Sequence, residues 1–348
     1  MIMMHGYTES LSHYWTTDKK FNSLSEGMET TSKGLQFFDY FSGIGGGRLG
    51  LEQSGFVCIG HADTSRLSDT TYRLLFDCSD KNYGNINKIN PETLPPHDIM
   101  IGGFPCQTFS VIGRREGFED PRGLLVFRLL EISERIKPRF MIFENVRGLV
   151  SHNKGKTLQT IIDSIGGKGY YVRYKVLNSI DYGVPQMRQR VYIICFREYA
   201  DYFSFQFPTP VETPLLSNYL VSHKTISKEQ LDTFYYYLNN KTNNGNYTVE
   251  QILSLPDYTV IDTRMSDLRI YKEKVPTLRS HRDGLFYVFN NTLCELKGEE
   301  ALLLQGFPKE YAKKVVGIVS DRHLLLQTGN SMTVSVINAL GEMIGKLL

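Results

Sequence analysis

The chain has 348 residues, a length that allows one large domain together with a smaller one. Hydrophobic residues make up 41% and charged residues 22%, the balance of an ordinary soluble globular protein, and no apolar run approaches the roughly 20 residues that a membrane helix needs. The formal net charge of +2 does not by itself indicate nucleic-acid binding, so a nucleic-acid enzyme of this composition must concentrate its basic residues on one face.

The termini and the cysteines carry little information on chemistry. Residues 1–33 are polar and lack a basic segment followed by an apolar one, so we predict a loosely ordered extension and no signal peptide. The cysteines form no CxxC pair, which argues against a disulfide framework and a structural zinc site and fits a reducing cytosol. They are Cys58, Cys78, Cys106, Cys195 and Cys294.

Short apolar runs alternate with helical patterns through the first half of the chain. A glycine cluster, 43–47, follows the first run, and a helix is predicted from about Arg48 to Ser54. Strands separated by helices predict an α/β fold, a doubly wound and mostly parallel sheet that binds ligands at the carboxyl ends of its strands. The predicted strands are 35–39, 56–59, 97–101, 139–143, 171–176 and 190–196.

The pattern changes near residue 200, where we place a domain boundary. Pro208, Pro210 and Pro214 break regular structure, and the polar segment 239–246 is typical of a loop. Residues 331–348 are again apolar at helical spacing.

The glycine cluster lies at a predicted strand-to-helix turn. Glycine lets a ligand approach the backbone closely, although a tight structural turn explains the cluster equally well. Asp63 stands 20 residues after Gly43, at the end of the second predicted strand, where an acidic residue commonly binds ribose hydroxyls. The alternative role for Asp63 is to cap a helix that starts near Thr64. The pair favours a ribose-bearing cofactor without distinguishing a nicotinamide from S-adenosylmethionine.

Three further sets of polar residues lie at the ends of predicted strands. Cys106 comes after the strand that ends at residue 101, and Glu144 comes after the strand that ends at residue 143. Gln186, Arg188 and Arg190 alternate where the last strand begins. The alternatives are an inert buried thiol, a helix cap and surface charge. Together the groups suit attack on an electron-poor heteroaromatic ring, with a thiolate adding to carbon, a carboxylate on a ring nitrogen and arginine on a carbonyl oxygen.

The ordered motifs resemble those of the bacterial and phage cytosine-C5 DNA methyltransferases, and the resemblance covers nearly all of the chain from Gly34 except about 202–260. It implies the Rossmann-like fold of S-adenosylmethionine methyltransferases with a smaller target-recognition domain. The matching motifs are Phe41-Ser42-Gly43-Ile44-Gly45-Gly46, Gly84-Asn85-Ile86, Gly103-Phe104-Pro105-Cys106-Gln107-Thr108-Phe109-Ser110, Gly117-Phe118-Glu119-Asp120-Pro121-Arg122-Gly123, Glu144-Asn145-Val146, Asp181 to Arg190, Leu304 to Pro308 and Gln327 to Met332.

The resemblance implies a catalytic role for Cys106, Glu144, Arg188 and Arg190. Cys106 attacks C6 of a cytosine flipped out of the duplex, and C5 then takes the methyl group from S-adenosylmethionine before its proton is lost. Glu144 binds N3 and the exocyclic amine, and Arg190 binds O2 with Arg188 beside it. The implied domains are an extension at 1–33, a catalytic and cofactor-binding domain at 34–200, a recognition domain and hinge at 201–324, and a returning C-terminal helix at 325–348.

The resemblance also implies the residues that contact the cofactor and the DNA. Relatives usually carry Glu at position 63, often a large apolar residue at 64 and Asp at 85, so Asp63, Thr64 and Asn85 predict reduced cofactor affinity with activity retained. The expected cofactor residues are Phe41, Gly43, Ile44, Gly45, Gly46, Asp63, Thr64, Asn85, Ile86, Phe104, Leu125, Asn330 and Ser331. The expected DNA contacts are Gln107, Ser110, Arg122, Arg264, Arg269, Thr277 and Arg279.

Other functions account for fewer of these features. An RNA (tRNA) methyltransferase of the same fold is the closest alternative, whereas a catalytically dead DNA-binding regulator would not need the intact Cys, Glu and Arg set. A nicotinamide oxidoreductase would explain the glycine turn alone. The implied setting is the bacterial cytoplasm or nucleoid, with double-stranded DNA as substrate, a monomeric enzyme, no membrane or metal, and a restriction-modification role with a separate cognate endonuclease or an orphan or phage role.

Overall fold

The computed structural model describes residues 34–105, 125–243, 246–280 and 284–348. Within them, six strands form the main sheet, in the order β2-β1-β3-β4-β7-β5. The first four are parallel to one another, and β7 is antiparallel to both β4 and β5. These strands are β1 Gln36–Tyr40, β2 Val57–Ala62, β3 Ile99–Gly102, β4 Phe140–Val146, β5 Tyr171–Asn178 and β7 Gln189–Phe196.

Helices connect and cover these strands. Several begin at a side-chain cap that the sequence supplies, as at Ser65, Ser227, Thr248 and Ser320. Of the helices in the described ranges, none has both the length and the apolar character that a membrane crossing needs. Their bounds are α1 Gly46–Gln53, α2 Arg66–Phe76, α3 Leu125–Ile136, α4 Gly148–Ser151, α5 Lys156–Gly166, α6 Tyr199–Ser204, α7 Lys228–Leu238, α8 Val249–Leu253, α9 Gly298–Leu304, α10 Lys309–Val315, α11 Asp321–Asn330 and α12 Val334–Gly345.

Both faces of the central strands β1, β3, β4 and β7 are buried, and alternation along each of them divides its side chains between two cores. In β4, Met141 and Phe143 pack with α3 and α5, whereas Phe140 and Ile142 pack on the opposite face with α1 and α12. Residue 144 therefore continues the face that α12 covers. By the same alternation this face carries the odd positions of β1 and β3 and the even positions of β7.

A second, antiparallel sheet follows, in the order β12-β11-β8-β9. The chain then joins the two parts through a short parallel pair in which β10 lies beside β6, with Val275 opposite Gln186. The remaining strands are β6 Gln186–Met187, β8 Val260–Asp262, β9 Arg269–Tyr271, β10 Val275–Pro276, β11 Leu285–Phe289 and β12 Thr292–Glu295.

The predicted fold class is confirmed: the chain is α/β with a mostly parallel main sheet and a separate smaller sheet. The predicted strands of the main sheet are present with ends shifted by up to three residues. Ser65, not Asp63, caps the helix that starts near Thr64. The domain boundaries near 200 and 325 stay a prediction, and the proposed extension at 1–33 lies outside the described residues.

The close approach of α1 to α12 depends on Gly50. A Cβ at this position would lie 2.6 Å from Ile337 Cβ and 2.7 Å from the Val334 carbonyl oxygen. We expect Gly50→Ala to destabilise the protein by about 1–3 kcal/mol through overpacking, against a gain of about 1 kcal/mol in helix propensity. Urea unfolding measures the change, with Gly345→Ala as the control because a Cβ there meets open space. A Gly50→Ala protein as stable as wild type would contradict this packing.

Candidate active site

Glu144 and Arg190 form an ion pair at the edge where β4 ends and β7 begins. Glu144 Oε1 lies 2.9 Å from Arg190 Nε, and the two side chains are 12% and 13% exposed. Within the part of the chain that the structure describes, this oxygen is buried and has no aligned hydrogen bond. The pair is therefore close but incompletely satisfied, and the carboxylate keeps capacity to accept from a ligand.

The chain that follows β3 passes directly against this pair. A Cβ on Gly103 would lie 3.4 Å from Glu144 Oε2 and 3.2 Å from Met332 Cε, so glycine allows the close approach. Asn145 Nδ2 donates a hydrogen bond of 2.9 Å to the carbonyl of Phe104. These contacts hold residues 103–104 against the end of β4. Cys106, Gln107, Ser110 and Arg122, the other predicted site residues of this stretch, lie outside the described residues.

Arg188, predicted to lie beside Arg190, has a different environment. It is 2% exposed, and its guanidinium donates to three backbone carbonyls, those of Leu278, Gly329 and Ser331, at 3.1, 3.1 and 2.8 Å. Burial and then the nearness of Arg190 lower the pKa of Arg188 to about 9, which leaves it protonated at pH 7. Gln186 is also buried and donates to the carbonyl of Leu304.

The glycine turn after β1 is joined to Asp63, as the predicted cofactor site requires. The amide of Gly43 donates to Asp63 Oδ2 at 2.9 Å, and the amide of Ser65 donates to the other oxygen at 2.7 Å. Gly43 and Gly45 have positive φ, and so does Phe41. The turn and Asp63 therefore form one unit, with an open helix N-terminus at Gly45.

Ser331 and Met332 close the other side of this turn. A Cβ on Gly46 would lie 2.3 Å from the Met332 carbonyl oxygen and 2.4 Å from Ser331 Oγ. Segments nearly 290 residues apart in the chain thus meet here. The side chain of Met332 also lies against Gly103, which in turn lies against Glu144. The predicted cofactor motifs and the predicted cytosine site share this wall.

The other predicted cofactor residues differ in exposure. Thr64, Asn85 and Asn330 are exposed, and Asn85 Oδ1 accepts from the Asn87 amide at 3.0 Å. The side chain of Ile44 is buried in a core cluster with α9 and α10, so it offers its backbone rather than its side chain to a ligand. Ile86, Phe104 and Leu125 all pack in or against the core under the α3 face of the sheet.

Asp39 is a polar residue of this site that the sequence assignment missed. It is 1% exposed at the end of β1, and its Oδ2 has no hydrogen bond among the residues described. Burial is the largest effect on this carboxyl and raises its pKa to about 8. The sequence does contain a signal for this residue: Asp39 is the one charged residue in an otherwise apolar strand core, and that strand leads directly into the glycine cluster.

The residues predicted to contact DNA are used in different ways. Arg264 has a side chain that is 3% exposed, pairs with Asp262 through Nε at 2.8 Å and Nη2 at 3.0 Å, and donates to the Thr277 carbonyl. Thr277 Oγ1 donates to the Met187 carbonyl at 2.6 Å. Arg269 is exposed and pairs with Asp267. Arg279 is exposed.

The described residues contain no group of three or more His, Cys, Asp or Glu that could hold a metal ion.

A family model for C-5 cytosine-specific DNA methylases matches residues 35–346. The chain is 33% identical to the type II methyltransferase M.HhaI of Haemophilus parahaemolyticus over 329 residues, which cover 90% of this chain and 95% of that protein.

The chain is also 33% identical to the type II methyltransferase M.HaeII of Haemophilus aegyptius over 317 residues, covering 90% of this chain and 94% of the relative. Among solved structures, the Entamoeba histolytica methyltransferase EhMeth superposes with a TM-score of 0.67 over 90% of this chain and 99% of that chain. Its sequence identity is 18%, so this likeness concerns the fold alone.

The raised pKa of Asp39 predicts a pH dependence of stability. Between about pH 4 and 8 the folded carboxyl keeps a proton that the unfolded chain has released, so this group destabilises the fold increasingly as pH rises. We expect Asp39→Asn to gain stability relative to wild type by on the order of 1 kcal/mol per pH unit between pH 5 and 8. Urea unfolding at each pH measures this difference.

The control for this measurement is Asp267→Asn. The hydrogen bond from Arg269 lowers the pKa of the exposed Asp267 carboxyl, so it is ionised in both states over this range. Its stability difference from wild type should not change between pH 5 and 8. Equal behaviour of the two variants would show that the Asp39 carboxyl is not protonated in the folded protein.

Proposed function

The chain belongs to the family of C-5 cytosine-specific DNA methylases, and we propose that it methylates C5 of a cytosine flipped out of a DNA duplex, with S-adenosylmethionine as methyl donor. It is a DNA (cytosine-5-)-methyltransferase of the type II class found in its relatives. The observation that carries the proposed mechanism is the Glu144–Arg190 pair beside the backbone that leads to Cys106.

Glu144 and Arg190 are suited to hold the pyrimidine edge of cytosine. The carboxylate accepts from the exocyclic amine and from N3 when N3 is protonated, while the Arg190 guanidinium donates to O2. A nearly buried pair supports this role, because charged hydrogen bonds are stronger where water is excluded. Protonation at N3 draws electrons from the ring and makes C6 a better electrophile.

Cys106 acts as the nucleophile in this proposal. Its thiolate adds to C6, and the ring electrons that are displaced make C5 nucleophilic. Loss of the C5 proton after methylation then restores the double bond and expels the thiolate, so the enzyme is regenerated. Asn145 supports this step because its bond to the Phe104 carbonyl anchors the chain two residues before Cys106.

The glycine turn is suited to S-adenosylmethionine. The turn with its positive-φ glycines Gly43 and Gly45, the joined Asp63 carboxylate and the buried, unpaired Asp39 oxygen fit a ligand that carries ribose hydroxyls and a cationic amino-acid part. When bound, S-adenosylmethionine supplies an electrophilic methyl group. Asp63 would bind the ribose, and Ser331 with residues 43–46 would line the amino-acid end.

For DNA recognition, Arg279 is the residue that the geometry favours. It is exposed and lines a cavity of about 450 Å³ with Arg322 and Lys297. Arg264 lines the same cavity, but its side chain is only 3% exposed and is held by Asp262. Arginine can read guanine edges or bind phosphate there. We further propose that the enzyme acts as a monomer in the bacterial cytoplasm or nucleoid, in a restriction-modification system with a separate endonuclease, as the type II names of its bacterial relatives suggest.

Bisulfite sequencing of DNA from cells that express the protein tests the proposed function. We expect protected cytosines within one short recognition sequence, and we expect Cys106→Ser to abolish methylation, since a hydroxyl is a far weaker nucleophile than a thiolate. Calorimetry should show that Cys106→Ser still binds S-adenosylmethionine. Unmethylated cytosines throughout, from folded wild-type protein, would contradict the proposal.

The RNA alternative is tested by the transfer of a tritiated methyl group to duplex DNA and to tRNA in parallel. The DNA proposal expects incorporation into DNA that is lost in Cys106→Ser. Incorporation into tRNA alone would move the function to the RNA alternative while leaving the chemistry of Cys106 intact.

Thr64 offers a direct test of the predicted weak cofactor binding. It is exposed beside Asp63, and an aromatic side chain there would stack on the adenine, a contact worth about 0.5–1.5 kcal/mol. We therefore expect Thr64→Trp to tighten S-adenosylmethionine binding roughly twofold to tenfold in calorimetry. The control, Thr64→Leu, adds apolar volume without a ring face and should change affinity less. Unchanged affinity in the Trp variant would argue against adenine at this position.

A further inference from the structure

Arg188 joins three segments of the chain through one buried guanidinium. Its Nη1 donates to the carbonyls of Leu278 and Gly329, and its Nη2 donates to the carbonyl of Ser331. Removing a buried charge from its partners is costly, so these bonds hold their carbonyls at fixed positions. Three of its N–H groups are directed at the protein backbone, which does not suit a residue that contacts cytosine.

On one side, these bonds reach the recognition segment, which we define as residues 275–280. The Leu278 amide donates to Gln186 Oε1 at 3.0 Å, and Val275 pairs with Gln186 in the short β10–β6 ladder. The same segment is tied to the second sheet, because Arg264 Nη1 donates to the Thr277 carbonyl at 2.9 Å and pairs with Asp262 of β8. The segment therefore connects Arg188 to the sheet of the predicted recognition region.

On the other side, the bonds reach the cofactor wall, which we define as residues 328–333. A Cβ on Gly329 would lie 2.3 Å from the Ser280 amide nitrogen, so the backbones of the two segments touch at this glycine. Ser331 Oγ in turn lies against Gly46 of the proposed cofactor turn. Ser331 thus connects the two: its hydroxyl lies against the proposed cofactor turn, and its carbonyl accepts from Arg188.

We infer that Arg188 is a positioning residue that couples occupancy of the cofactor pocket to the order of the recognition segment. The inference rests on the proposed function, since it takes the glycine turn as the cofactor site. A planar guanidinium holds its acceptors in a fixed geometry, so the carbonyls of Ser331 and Leu278 cannot shift independently. Coupling of this kind is reciprocal, so DNA that orders the recognition segment strengthens cofactor binding by the same factor.

Hydrogen exchange measured by mass spectrometry tests this coupling, with S-adenosylhomocysteine as the probe. In the wild-type protein, saturating ligand should slow exchange in peptides from the cofactor wall and also in those from the recognition segment. In Arg188→Gln the protection at the cofactor wall should remain, whereas the protection of the recognition segment should fall at least about fivefold. Arg188→Lys keeps the charge but loses the planar arrangement of N–H donors, so we expect it to retain only part of the protection of the recognition segment.

A second variant disturbs the contact between the backbones of Gly329 and Ser280 while leaving the arginine side chain unchanged. Gly329→Ala places a methyl group where the two backbones meet, and we expect it to lose the same ligand-dependent protection of residues 275–280. Two matched controls should retain it. Arg139→Gln removes an arginine that pairs with Asp201, far from both segments in the chain, and Gly166→Ala adds a Cβ in open space. Thermal unfolding of every variant identifies any that do not fold.

The outcomes separate this inference from the proposed function. Equal protection of the recognition segment in wild type, Arg188→Gln and Gly329→Ala would overturn the inference, and so would its absence in a wild-type protein that binds the ligand. Failure of folded wild-type protein to bind S-adenosylhomocysteine would contradict the proposed cofactor itself, and the inference with it. Loss of the ligand-dependent protection of residues 275–280 in both Arg188→Gln and Gly329→Ala, with its retention in both controls, would support the inference.

Discussion

The burial of both faces of the central strands β1, β3, β4 and β7 is the constraint on which the site depends. Side chains in the middle of these strands are apolar, so charged groups are accommodated where the strands end, and alternation then decides the face. Asp39, Gly103, Glu144 and Arg190 all continue the face that α12 covers, although they come from four strands. The segment before α12 supplies Ser331 and Met332 to the same face. This one segment therefore lies against both the glycine turn of the proposed cofactor site and the Glu144–Arg190 edge of the proposed cytosine site.

The two arginines that flank residue 189 show how partners determine a role. Arg190 pairs with a carboxylate that retains unused acceptor capacity, and both groups keep some exposure, which suits a site that must exchange water for a base. Arg188 is more deeply buried and bonds to three carbonyls of its own chain. In our proposal, side chains of one chemical type, two residues apart, therefore bind substrate in one case and position the chain in the other, because one faces a carboxylate and the other faces main-chain carbonyls.

The local pattern of the sequence predicted the strands of the main sheet, the glycine turn and the proximity of Glu144 and Arg190, because these depend on alternation and on strand ends. It did not predict the second sheet, whose strands β8 and β9 are three residues long and therefore too short to show a clear alternation. The resemblance predicted that Arg264 contacts DNA, which stays a prediction, but no pattern showed that Asp262 two positions earlier pairs with it. The partners of Arg188 lie 90 to 143 positions away, beyond any local signal.

The choice of backbone carbonyls as the partners of Arg188 has a consequence for recognition. Every residue type carries a main-chain oxygen, so positions 278 and 331 offer Arg188 an acceptor whatever side chain they carry. Gly329 is the exception, because any Cβ there meets the backbone of Ser280. A recognition region held in this way can change the side chains that read DNA while its attachment to the cofactor wall stays the same. In our proposal, specificity and coupling thereby rest on different atoms of one segment, side chains for the first and carbonyls for the second.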